Sequence, residues 1–223
     1  MPAVPWWGVL SSVAAPVLLA TGWTLAAVRR PDGYDPVADT ISVLASFGMV
    51  DRLILITCLA GLGVAHLVTA LGLRVVPLVA RAVYGLGGVA TIVVASVPKV
   101  DSATPPAHGI SAVVGFVALG LWPAVALLPR ARRQSGGTGR SGPVVPRDRP
   151  WVLRPPAALA ATGVMLGSGL WLALQLPDGA TAGLAEGVTS GTEGLWPLTV
   201  VLVSRRWSRH RRRAVPDAGR DTP

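Results

Sequence analysis

An all-α fold, a polytopic membrane helix bundle, is what this 223-residue sequence predicts, and three observations predict it. Hydrophobic residues make up 51% of the chain and charged residues 14%, and the mean hydropathy is positive, which is not the balance of a soluble domain. Six apolar runs each approach the roughly 20 residues that cross about 30 Å of hydrocarbon as a helix. The basic residues gather in alternate connections, the pattern that orients a membrane protein. A formal charge of +9 would suit nucleic acid, but confinement of that charge to a few connections assigns it to orientation, and no nucleic-acid partner is expected.

The first run, 6–28, has no basic residue before it and is too long for the apolar core of a signal peptide, so it reads as a retained span with Pro16 inside it. The connection after it carries the richest acid and hydroxyl chemistry of the chain, over residues 33–48. There Asp35 is placed to cap a helix that Pro36 begins. At 100° per residue Val37, Ile41, Leu44 and Ala45 share one side, and Asp39, Ser42 and Ser46 the other. The expectation is a short amphipathic outer helix of about three turns in the headgroup boundary. Its polar stripe either lines a site or faces interfacial water.

The second run, 53–73, holds the single cysteine, Cys58, which excludes an intramolecular disulfide, and His66, about 13 residues or roughly 20 Å from the run's outer end. The third run is 79–97. Between it and the fourth, 110–128, lie Lys99, Asp101, Thr104, Pro105, His108 and Ser111. Thr104 can cap a helix beginning at Pro105, which puts His108 and Ser111 on one face at the outer rim. His108 in that place suits a general base, a metal ligand, a proton-sensitive switch or an interfacial polar residue. The connection 129–155 contains Gln-Ser-Gly-Gly-Thr-Gly-Arg-Ser-Gly (134–142) and reads as a flexible basic linker.

The fifth run is 156–176 and the sixth 184–203. In the sixth, Glu186, Ser190 and Glu193 fall on one face, with Gly183, Gly187, Gly191 and Gly194 beside them. Small residues four apart allow close helix approach, so Gly183, Gly187 and Gly191 are candidates for homo-oligomer contact. Glu193, about 10 Å deeper than Glu186, is an ionisable residue at membrane depth, like His66, and the two pair most plausibly by depth. The basic tail, 206–223, follows directly; its arginines suit a stop-transfer anchor and a surface for anionic lipid headgroups.

Arginine and lysine fix an expected orientation. The second and fourth connections and the C-terminal tail together hold 16 of them, and the first and third connections hold 4. Both termini are therefore expected in the cytoplasm, with the chain in the inner (cell) membrane. Most acids fall on the opposite side, giving an electronegative outer mouth.

Three stretches resemble the bacterial membrane family catalogued as domain of unknown function 998. They are Tyr34-Asp-Pro with Asp39-Thr-Ile-Ser-Val-Leu-Ala45, Asp101 followed by His108-Gly, and Gly183-Leu-Ala-Glu-Gly leading to Leu195-Trp-Pro. The resemblance covers about residues 8–205. It implies a six-helix integral membrane protein and brings no established activity, so no catalytic residue is carried over. Members often have Glu-Arg where this chain has Glu186-Gly187.

The functional expectation is an outward-facing acidic and histidine-bearing pocket for a small molecule or a lipid headgroup. Its candidate residues are Tyr34, Asp35, Asp39, Ser42, Asp101, His108, Ser111, Glu186, Ser190 and Glu193, with His66 and Glu193 as intramembrane ionisable groups. Other classes stand beside it. One is an intramembrane lipid hydrolase using His108 and carboxylates with a metal or water. Another is a proton-coupled carrier relaying through Glu193 and His66, and a third is an accessory subunit. No His-x-x-x-His, Cys-x-x-Cys, nucleotide-binding glycine loop or Gly-x-Ser-x-Gly occurs, and neither a cofactor nor a firm metal site is expected.

Overall fold

In a computed structural model, residues 4–30, 33–46, 52–97, 104–129, 149–176 and 179–213 are described, and within them the chain is all-helical. Each apolar run falls in one α-helix: α1 (Trp6–Val28), α2 (Arg52–Gly72), α3 (Leu78–Ser96), α4 (Pro106–Val125), α5 (Pro155–Gln175) and α6 (Ala182–Arg213). Prolines start α4 and α5, where a missing N–H costs nothing. α6 runs on past its apolar stretch through Arg205–Arg213, a segment without glycine or proline to stop it.

The helices form a ring. Each packs on the next in sequence, and α6 returns to α1. Packing is closest from α1 to α4. At the α2–α3 crossing a Cβ on Gly63 would lie 2.7 Å from the Gly88 carbonyl, and one on Gly88 would lie 2.8 Å from the Gly63 carbonyl. Only glycine at both places allows that approach. One buried cluster, including Leu73, Val76, Tyr84, Trp122, Val152 and Val200, closes the bundle at the end holding the α2–α3 turn. A second, including Leu19, Ile41, Leu44, Leu55 and Leu62, joins α1 and α2 to the segment after α1. The outward surface is apolar, with Leu10, Val17, Val64, Leu71, Val89 and Leu174 exposed, as lipid-facing helices require.

Among the described residues five helices, α1 to α5, are long and apolar enough to cross a membrane. α6 falls below that measure because Glu186, Glu193 and its Gly, Ser and Thr residues lower its hydropathy; Glu186, Ser190 and Glu193 line the bundle interior. One expectation is corrected: the three-turn amphipathic helix is absent. Residues 36–39 make a turn, followed by a 3₁₀ helix, Ile41–Ala45. Asp35 does accept from the Val37 N–H at 2.8 Å, as a cap would. The next helical bond would join the Ile41 N–H to the Val37 carbonyl. Instead the Ile41 N–H donates to Glu186 Oε2 at 2.6 Å, and the Val37 carbonyl accepts from the Leu184 N–H at 3.0 Å. α6 takes both halves of that bond.

Candidate functional site

The ring encloses a cavity of about 590 Å³, reached from the end of the bundle where α4 and α6 begin. Thr40, Ser42, Thr104, His108, Ser111 and Glu186 stand at this mouth. Leucines, valines, Phe116 and Met165 form most of the walls, and His66, Ser190 and Glu193 lie deeper. Glu193 is seven residues beyond Glu186, roughly 10 Å along the helix. Val113 and Val117 of α4, Leu170 of α5 and Leu176, just after α5, line the cavity and are also exposed on the outer surface of the bundle. α4 and α5 pack closely where Gly120 meets Leu166.

The mouth is built by docking residues 34–46 onto α6. A Cβ on Gly183 would strike the Asp39 and Pro36 carbonyls, the second at 2.7 Å, so glycine here is a requirement of close backbone approach. Glu186 anchors the 3₁₀ helix through Ile41. Asp39 is turned to its own loop, accepting from the Asp35 N–H at 3.1 Å and lying 3.5 Å from Arg30. The Tyr34 hydroxyl accepts from Trp23 Nε1–H at 3.0 Å, with the Arg30 guanidinium 5.9 Å from its ring centre. Burial is the main cause that pushes the Tyr34 hydroxyl up to about 12; the Trp23 N–H opposes it, and the negative charges of Glu186 and Asp39 add to it. A Cβ on Gly187 would lie 2.9 Å from the Trp23 ring. At the rim, His108 Nδ1–H donates to the Val97 carbonyl at 2.7 Å, which assigns the proton to that nitrogen.

Behind the cavity floor, the Ser11 hydroxyl donates to the Gly8 carbonyl and accepts from Thr69, 2.8 Å away. His66 Nδ1 and the Tyr84 hydroxyl share a hydrogen bond of 2.7 Å. The partner of His66 is Tyr84, not Glu193. Glu193 is 2% exposed, and its Oε1 has no hydrogen-bond partner.

Of the residues singled out from sequence, Ser42, His108, Ser111, Glu186, Ser190, Glu193 and His66 line one cavity. Tyr34, Asp35 and Asp39 lie outside it and hold the mouth segment in shape. Asp101 lies outside the described residues. Gly183 and Gly187 are covered from within the chain, by the mouth segment and Trp23, while Gly191 has open space beside it. Among the described residues no three His, Cys, Asp or Glu side chains gather as metal ligands. Sequence reasoning passed over Thr40, Thr69 and Tyr84. Thr69 stands three residues after His66 on one face of α2, a spacing that does carry the signal.

These features define a class: an all-α, multi-pass membrane protein with a cavity set inside its helix ring. More narrowly, the chain belongs to the family described as "Protein of unknown function (DUF998)", whose model matches residues 13–203. Comparison with curated proteins and with solved structures finds no significant match.

Proposed function

We propose that the protein is a six-span binding protein of the inner (cell) membrane, whose outward-opening cavity takes a small amphiphilic molecule or part of a lipid. The observation that carries this reading is the cavity itself: about 590 Å³, apolar along its walls, with hydroxyl, imidazole and carboxyl groups at its mouth and floor. That size and mixture suit a small-molecule site. Val113 and Val117 of α4 and Leu170 of α5, which line the cavity and are also exposed to the bundle's surroundings, support entry from the bilayer between these helices. α6 is the sixth span in this reading: its polar face meets the cavity, and its position between α5 and α1 completes the ring. Both termini are cytoplasmic, and the arginine-rich end of α6 meets anionic headgroups there, Arg211 stacking 4.4 Å from the Trp207 ring.

Native mass spectrometry of the purified protein tests the binding reading. A co-purifying molecule of one defined mass is expected on the wild type, and Ala112→Phe, which adds bulk to the cavity lining, is expected to reduce its occupancy severalfold. Equal occupancy in the two proteins would overturn the proposal, provided that Ala112→Phe retains the wild-type melting temperature.

A further inference from the structure

The floor of the cavity is short of donors. Glu193 Oε1 is buried there without a partner. His66, which also lines the cavity, is hydrogen-bonded through Nδ1 to the Tyr84 hydroxyl. Ser190, three residues before Glu193 on the same face of α6, also lines the cavity. Among the described residues neither lysine nor arginine lines the cavity, so a phosphate or a carboxylate at its floor would meet the Glu193 carboxyl and no cation from them. A buried polar group that has no partner is costly, and a native fold retains one where a ligand supplies the partner. The group that supplies several N–H donors and an opposite charge at once is an ammonium. The walls ask for the rest of the molecule to be apolar.

We infer that the cavity selects a hydrophobic amine, its ammonium docked on the Glu193 carboxyl, its apolar body along the α4 and α5 walls. This rests on the binding reading above and names the ligand class for the same site. The ammonium belongs either to a free hydrophobic amine or to an amino-headgroup lipid.

The test uses three probes of one shape, 4-phenylbutylamine, 4-phenylbutanol and 4-phenylbutyrate, titrated into full-length protein in phosphatidylglycerol nanodiscs. The amine is expected to bind about tenfold more tightly than the alcohol, with the butyrate weakest, as a charge-assisted contact requires. Glu193→Gln is expected to bring amine and alcohol within about threefold of each other. Glu193→Leu gives the same reading should the amide variant not fold. Repeating the titration in discs containing phosphatidylethanolamine separates the sources: weakened amine binding there marks the lipid as occupant, and unchanged binding marks a free amine. Equal affinity for all three probes would overturn the amine assignment while leaving a binding cavity in place. An amine preference that survives both Glu193 substitutions would overturn it as well. Failure of all three probes would remove the amine reading, and the co-purification result would then decide the binding reading separately.

Discussion

Glu186 shows how a carboxylate on an expected polar stripe can owe its bond to a distant partner. In sequence it belongs to an acidic stripe on α6; in the fold its Oε2 is 2.6 Å from the Ile41 N–H. Glu186→Ala would leave that donor without its acceptor, and a loss of about 1–3 kcal/mol is expected from chemical denaturation in detergent. Gly183→Ala should cost about as much, since a methyl there collides with two backbone carbonyls that cannot swing aside. Tyr34 offers a spectroscopic check. The chain has two tyrosines, so a difference titration between the protein and Tyr34→Phe isolates this one. Its tyrosinate absorption should have a midpoint near 12. The sign follows: a hydroxyl whose value is raised on folding contributes stability in full below about pH 10, and that contribution is lost as the pH climbs through 12. A midpoint near 10 would show that the loop does not bury this ring.

At the scale of elements, the sequence was most legible where one property decides the outcome. Apolar length alone marks α1 to α5, because a chain in lipid has to satisfy its backbone internally and a helix does so locally. The segment after α1 was misread for the complementary reason. Its caps and its periodicity are those of an amphipathic helix, and Asp35 caps as expected. What decides its shape is a partner 145 residues away, which no local pattern contains. The cavity was legible in part. Polar residues facing inward on α2, α4 and α6 were visible by spacing, but the Tyr84 bond that orients His66 crosses from α3 to α2 and has no sequence period. The α2–α3 crossing gives an element-level prediction. Gly63→Ala forces a Cβ to within 2.7 Å of the Gly88 carbonyl, so α2 and α3 have to separate, and about 2–3 kcal/mol of stability should be lost. Thermal melting of Gly63→Ala beside Gly163→Ala, a site with open space around it, measures the difference.

For the whole molecule, orientation is the property on which the outward cavity depends. In a Cys58→Ser background, Asp35→Cys should react with an impermeant thiol reagent in intact cells, and Arg140→Cys should react only after permeabilisation. The opposite pattern would turn the cavity mouth to the cytoplasm. Packing makes the molecule uneven: α1 to α4 are tightly joined, while α5 has exposed apolar residues along much of its length, including Leu159, Leu170 and Leu174.

The exchange of backbone bonds between residues 37–41 and the start of α6 sets an order of events during synthesis. The mouth segment leaves the ribosome well before its acceptor exists. At about 5–20 residues per second, 145 residues take roughly 7–30 s. Through that interval the Ile41 N–H and the Val37 carbonyl can bond only each other, water or headgroups, and the segment takes its final form when the last helix arrives. The last helix made is thus the clasp for the first loop, and a nascent chain stalled before Gly183 would remain open at its mouth.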